Sequence, residues 1–270
     1  MSRFLKLLEE ANIANNPAVY TGKVEAMVDA LKDKKKVLFI TTSNRWEGEM
    51  LKGEGKKEEP KSTMLAKHIQ AMLPEGVVEL IDASKLTIHC CEGNVSRLEG
   101  NNCGVKDSLL KDKEKNPTGY HRCWASLNNK DDELWKISKP LFESDAVIFF
   151  VSVRWGQANS IYQKLIERLN WIENRHTTLE EDNIIEGKQA GVVVVGQNWK
   201  GDQVLDTQKK VLDFYGFEVP DELSFNWQYT DDALDETQKS YEDSSRAFEK
   251  AFDINLKKEP NEQQNNKTFS

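Results

Sequence analysis

Two runs of almost unbroken apolar residues, DAVIFFV at 145–151 and AGVVVVG at 190–196, constrain the fold more than any other feature of the chain. Each is one strand long and far short of the roughly 20 apolar residues that a bilayer-spanning helix needs. Val, Ile and Phe suit a pleated strand, and a strand without polar alternation leaves neither face for water. Three more strand-like runs lie at 36–41, 77–82 (VVELID) and 222–227 (ELSFNW). Helical patterns fall at 62–73, 131–143, 158–174 and 203–215. Strands alternating with helices in this way predict a parallel sheet with helices on both faces. In such sheets ligands bind beyond the carboxyl ends of the strands, where the strand order reverses. The loops after the first, third and fourth strands are therefore the expected site.

The first of these loops has the chemistry of an anion cradle. KVLFI runs into TTSNR, and a later segment, STMLAKHIQAML, opens a helix at Ser62-Thr63. Helix-start N–H groups and the helix dipole favour negative charge, and Ser, Thr and Arg side chains complete such a site. Neither G-x-G-x-x-G nor G-x-x-x-x-G-K-[ST] is present, which points to a phosphate monoester rather than a dinucleotide or a nucleoside triphosphate. After the third strand, SVRWGQANS leads into a helix whose Ile161, Leu165, Ile166, Leu169 and Ile172 have core spacing. The turn at 152–159 offers N–H groups and amides that could read the edge of a pyrimidine-like ring. After the fourth strand, GQNWKGDQ is a second glycine-punctuated turn. Trp46, Trp124, Trp155 and Trp199 are expected in loops, as packing anchors or as stacking surfaces for a planar ligand.

Composition narrows the partners. The net charge is -8 and the pI near 5.3, and nucleic-acid binding needs a basic face instead. The N-terminal MSRFLKLLEEAN carries acidic residues where a signal peptide needs a continuous apolar stretch, so a cytoplasmic location away from membranes is expected. Three segments are anticipated. Residues 1–34 form a helical extension with patterns around Phe4, Leu5, Leu7 and Leu8 and around Val24, Met27, Val28 and Leu31, expected to pack against the sheet domain or a partner subunit. Residues 35–230 form the sheet domain, with a long polar insertion at 84–130. Residues 231–270 hold a helix with a narrow stripe at Leu234, Tyr241, Phe248 and Phe252, then a disordered tail, KKEPNEQQNNKTFS.

Together these loops resemble the flavodoxin-like NAD(P)H-dependent oxidoreductases, the FMN reductase family with its iron–sulfur flavoprotein relatives. Three motifs carry the likeness. One is the S-x-R loop ending in a hydroxyl pair, here Ser43, Arg45, Ser62 and Thr63. The next is the ring loop SVRWGQ followed by KLIERL, and the last is GQNWKG with GFEVP downstream. The segment DDELWKI at 131–137 before DAVIFF also looks like this family, and the resemblance spans about residues 36 to 220. It implies a three-layer α/β sandwich with a five-stranded parallel sheet in the order 2-1-3-4-5, binding FMN and using NAD(P)H as cosubstrate. Ser43, Arg45, Ser62 and Thr63 would hold the phosphate. Ser152, Val153, Arg154, Trp155, Gly156, Gln157 and Asn159 would line the ring, and Gly196, Gln197, Asn198 and Trp199 would close its other edge. This chain departs from the family in its long first loop, with sixteen residues between Arg45 and Ser62, and in Ser152, which stands where the family has Pro.

All four cysteines, Cys90, Cys91, Cys103 and Cys123, lie in the insertion, where iron–sulfur relatives place their ligands. Four thiolates suit a [4Fe–4S] cluster or zinc, with His89 and His121 as alternative ligands. The loose spacing and the adjacent pair weigh against this, because successive side chains diverge in an extended segment. Ordinary thiols are thus favoured over a cluster or a redox-active thiol, and no metal ligand is assigned.

The activity implied is hydride uptake from NADH or NADPH and reduction of a quinone, a free flavin or another small acceptor. The flavin carries such chemistry, so no catalytic acid or base is expected. A homodimer or homotetramer is expected, with the N-terminal helices and the Phe248/Phe252 stripe as candidate surfaces. Two other readings keep the fold: a flavin electron carrier docking to a protein partner, and a cofactor-free interaction module. Arg45→Ala is predicted to weaken FMN binding by about tenfold or more; an unchanged dissociation constant would remove Arg45 from the site.

Overall fold

The computed structural model describes residues 17–44, 59–93, 102–196 and 200–228, together with the isolated positions 237, 239 and 243. The predicted helical pattern at Phe4–Leu8, the stripe at Leu234, Tyr241, Phe248 and Phe252, and the terminal tail lie outside them. The chain forms α1 (Pro17–Leu31), β1 (Val37–Thr41), α2 (Lys61–Met72), β2 (Val78–Asp82), α3 (Trp124–Asn128) and α4 (Trp135–Glu143). There follow β3 (Ala146–Arg154), β4 (Gln157–Ala158), α5 (Ser160–Thr177), β5 (Gln189–Gly196), α6 (Gly201–Phe214) and β6 (Phe225–Gln228). The sheet order is β2-β1-β3-β5-β6 with every neighbour parallel, while β4 pairs back on the end of β3. Numbered among themselves, the five parallel strands run 2-1-3-4-5, the doubly wound order with its reversal between β1 and β3. The fold is flavodoxin-like.

Alternate residues of each strand feed two cores. Val37, Phe39, Ile148, Phe150, Val193 and Phe225 pack under α1 and α2, against Met27, Leu31, Leu65 and Ile69. Leu38, Ile40, Val147, Phe149, Val192 and Val194 pack under α4, α5 and α6, against Ile137, Leu165, Leu169, Val204 and Leu212. Both faces of β1, β3 and β5 are dry, which is why their sequences lack polar alternation. Helix α1, read from sequence as an extension, belongs to the first core and reaches across to the last strand. Tyr20 stacks on Trp227 at 4.7 Å between ring centroids, and its hydroxyl bonds the Gln228 carbonyl at 3.3 Å.

The described part of the insertion is held to the second half of α5 by a buried polar network. Arg168 lies in that helix with Asp132 beside it, both side chains fully buried, the guanidinium bonding both carboxylate oxygens at 2.8 and 2.9 Å. Arg168 also donates to the His89 carbonyl and to the Ser126 hydroxyl. His121 bridges Ser126 and Ser138, and burial holds its pKa down near 3, with the Arg168 charge adding to the effect, so it is neutral. Asp132 is turned inward, and α4 begins at Trp135 rather than at the predicted 131. The described residues of the insertion dock on the half of α5 remote from the sheet's carboxyl edge, because Arg168, Asn174 and Arg175 supply polar partners there.

Burial alone would raise the Asp132 pKa, but hydrogen bonds and charge from Arg168, with donors from Ser126 and the His89 N–H, outweigh it and hold the carboxyl low. A depressed carboxylate contributes stability above its unfolded pKa, near 3.9, and that contribution is lost as pH falls through the folded value. Asp132→Asn leaves Arg168 without its counter-charge and is predicted to cost about 3–5 kcal/mol at neutral pH. Chemical denaturation across pH 2–7 checks both points: the variant should lose the part of the acid dependence that Asp132 provides. A cost below about 1 kcal/mol would contradict this account of the network.

Candidate functional site

At the carboxyl edge of the sheet, Ser43 follows β1 and Ser62 sits in the first turn of α2. Their hydroxyl oxygens are 2.7 Å apart although 19 residues separate them in sequence. Both residues are buried. Pro60 holds the N-cap position of α2 and supplies no side-chain acceptor, so no cap side chain offsets the partial positive charge of the helix start. Thr63 is buried with its hydroxyl unpaired. Buried hydroxyls ordinarily find partners, and hydroxyl donors gathered at an uncapped helix start are the donor set of a phosphate site. Arg45 lies outside the described residues.

The second wall is the loop after β3. Trp155 and Gly156 have φ of 51° and 69° and turn the chain back, so that Gln157 and Ala158 pair antiparallel with Arg154 and Val153. Two successive positive φ angles make a type I′ hairpin turn, whose right-handed twist suits the flanking strands but which favours Asn-Gly over Trp-Gly. Holding a Trp in this region costs on the order of 1–2 kcal/mol. The side chain gains nothing by burial in return, since Trp155 is 89% exposed. Ser152 is buried with an unpaired hydroxyl, while Arg154 and Gln157 face solvent.

Asn159 joins the two walls. Its side-chain N–H donates to the Thr42 carbonyl at 2.6 Å, and its oxygen accepts from the Thr42 hydroxyl at 2.9 Å and from the Ser152 N–H at 3.4 Å. This amide was expected to face a ring, but it is spent inside the protein. On the far side, β5 ends at Gly196, where a Cβ would stand 2.8 Å from that of Val153. Only glycine lets the two strand ends lie this close. Gln197, Asn198 and Trp199 are outside the described residues, and the chain resumes at Lys200, the left-handed N-cap of α6.

Of the predicted residues, then, Ser43, Ser62 and Thr63 line one wall and Ser152, Val153, Arg154, Trp155, Gly156 and Gln157 the other. Gly196 lies against Val153, and Asn159 ties the walls together. Sequence reading missed Thr42, which extends the β1–β3 ladder through its N–H to the Phe150 carbonyl at 3.2 Å. The signal was its place as the first residue beyond the strand. Apart from Arg154 the described set contains no ionisable side chain.

The cysteines stand apart from this edge. Cys103 and Cys123 are buried in the core beneath α5. Burial pushes the Cys103 thiol up to about 12, only partly offset by a hydrogen bond with Asn170, so it is not a nucleophile at neutral pH. Among the described residues the cysteines form no disulfide, and no group of three or more His, Cys, Asp or Glu side chains could hold a metal ion. No helix among them is long and apolar enough to cross a membrane.

No model of a known protein family matches the chain, and no curated protein matches it in sequence. Among solved structures it is similar to RosB with its bound intermediate 8-demethyl-8-formylriboflavin-5'-phosphate, at 14% identity over 80% of this chain and 74% of that one, with a TM-score of 0.49. It is also similar to an azoreductase from Bacillus anthracis str. Sterne, at 16% identity over 82% of this chain and 98% of that one, TM-score 0.47. A third is the apo form of the NADH:FMN oxidoreductase EMOB, at 13% identity over 84% and 92%, TM-score 0.40. None reaches a TM-score of 0.5, and the fold rests on the strand order itself.

The strain at Trp155 predicts an unusual separation of stability from binding. Trp155→Asn creates the favoured Asn-Gly turn and should leave the protein as stable as before or up to about 1 kcal/mol more so, with the exposed aromatic gone. Thermal or urea unfolding checks this; a clear loss of stability would show that the indole is structural.

Proposed function

We propose that the chain is an FMN-dependent oxidoreductase that takes hydride from NADH or NADPH and reduces a small acceptor such as a quinone or a free flavin. The observation that carries the reading is the Ser43–Ser62 hydroxyl pair at an uncapped helix start, with the unpaired Thr63 hydroxyl beside it. This donor set fits a phosphate monoester. The exposed Trp155 on the opposite wall fits a planar ring system next to that phosphate. The resemblance of the loops to FMN reductases points the same way.

In this reading Ser43, Ser62 and Thr63, with the N–H groups at the start of α2, fix the phosphate and so set the depth of the ligand. Arg45 adds positive charge. Ser152 and the backbone at 153–157 read the edge of the ring by hydrogen bonding, and Trp155 shields one side of it from water. Gly196 leaves room at the far edge. When bound, FMN supplies the hydride and electron chemistry, and the protein supplies placement and electrostatics. Arg154, exposed at the mouth, attracts the phosphates of an incoming nicotinamide nucleotide.

Anaerobic stopped-flow mixing of FMN-loaded protein with NADH or NADPH is the test. Bleaching of the flavin band within seconds, saturating with nucleotide concentration, is the expected result. A flavin that stays oxidised with both nucleotides would make the protein a carrier instead.

A further inference from the structure

Asn159 occupies the N-cap of α5, where an Asn side chain normally accepts a hydrogen bond from the first turn of its own helix. Here its side chain makes no such bond. The whole amide is turned back to Thr42 and Ser152, through the three contacts at 2.6, 2.9 and 3.4 Å, and it is buried. A helix cap contributes about 1 kcal/mol, so the sequence forgoes local stability to make this clasp. Asn suits the position because it both donates and accepts: the Thr42 carbonyl needs a donor, and the Thr42 hydroxyl and the Ser152 N–H need an acceptor. The Thr42 hydroxyl also lies 3.0 Å from the Phe150 carbonyl, so its one proton is held between β3 and Asn159. Ser43, the next residue, makes the hydroxyl pair with Ser62.

We propose that Asn159 is a positioning residue for the phosphate: by fixing Thr42 against the loop after β3, it sets where Ser43 meets Ser62. Of its side-chain bonds, the two short ones go to Thr42 on the phosphate side, and only the 3.4 Å bond from the Ser152 N–H reaches the ring loop. This inference rests on the flavin reading above. Riboflavin and FMN share the ring and differ in the phosphate, so their ratio of dissociation constants isolates the effect.

The experiment titrates wild type, Asn159→Ser and Thr42→Val with each flavin by fluorescence quenching, with melting temperatures taken alongside. Serine caps a helix well but is too short to span to Thr42, so the fold should survive while the clasp is lost. Asn159→Ser is expected to lower the preference for FMN over riboflavin about tenfold, with riboflavin affinity itself changed by less than about threefold. Thr42→Val, which removes the hydroxyl arm alone, should shift the ratio the same way by less, and it decides the matter if Asn159→Ser does not fold. Equal weakening of both flavins, or an unchanged ratio, would overturn the role assigned to Asn159 while leaving the flavin reading intact. A wild type that binds neither flavin, or binds both equally, would remove the phosphate reading and the inference with it.

Discussion

The parallel pairing of β1 with β3, which sets Thr41 opposite Phe150, is the constraint from which the site follows. The two strands are neighbours, but their chains leave the sheet toward opposite faces. After β1 the chain goes to α2, whose Leu65 and Ile69 pack on one core, and after β3 it goes to α5, whose Leu165 and Leu169 pack on the other. Two adjacent strands that part in this way open a crevice at their carboxyl ends. Hydroxyls gather on its α2 side, and the strained hairpin stands on its α5 side. The dry strands fix this geometry firmly, since shifting either one by a residue would turn apolar side chains of one core into the other.

The two walls of the crevice are tied together by polar contacts that depart from local preference. Asn159 gives up a helix cap to join the walls, and Trp155 accepts an unfavourable backbone conformation while remaining in solvent. Departures of this kind from local preference gather at functional sites. By contrast, the polar network around Arg168 and Asp132 satisfies local preferences almost completely. It anchors the insertion, and it is a structural feature with no group aimed at the crevice.

Much of this was legible in the chain. The unbroken apolar runs at 145–151 and 190–196 announce buried parallel strands, and the alternation with helices fixes the fold class. Ser43, Ser62 and the turn at 152–157 could be selected as candidates because they follow buried strands at the edge where doubly wound sheets bind ligands. Other features were hidden for physical reasons. The hairpin at Trp155-Gly156 lacks the Asn-Gly signal, because its first residue is not one that the turn favours. The inward use of Asn159 depends on a partner 117 residues away, which no local pattern reveals. The docking of the insertion was equally invisible, since nothing in the segments DDELWKI and KLIERL shows that Asp132 and Arg168 pair until the fold brings them together. Which part of the sheet helix α1 would meet was not legible, because its partner strand, β6, comes last in the sequence.

The central claim is that the crevice between β1 and β3 binds a flavin through its phosphate. The most direct measurement is the absorbance of the purified protein between 300 and 700 nm, recorded before and after incubation with FMN and desalting. The account predicts the paired bands of oxidised flavin, retained through the column in near-equimolar amount. A spectrum that stays flat after exposure to FMN would contradict it, leaving the fold in place and the proposed chemistry without support.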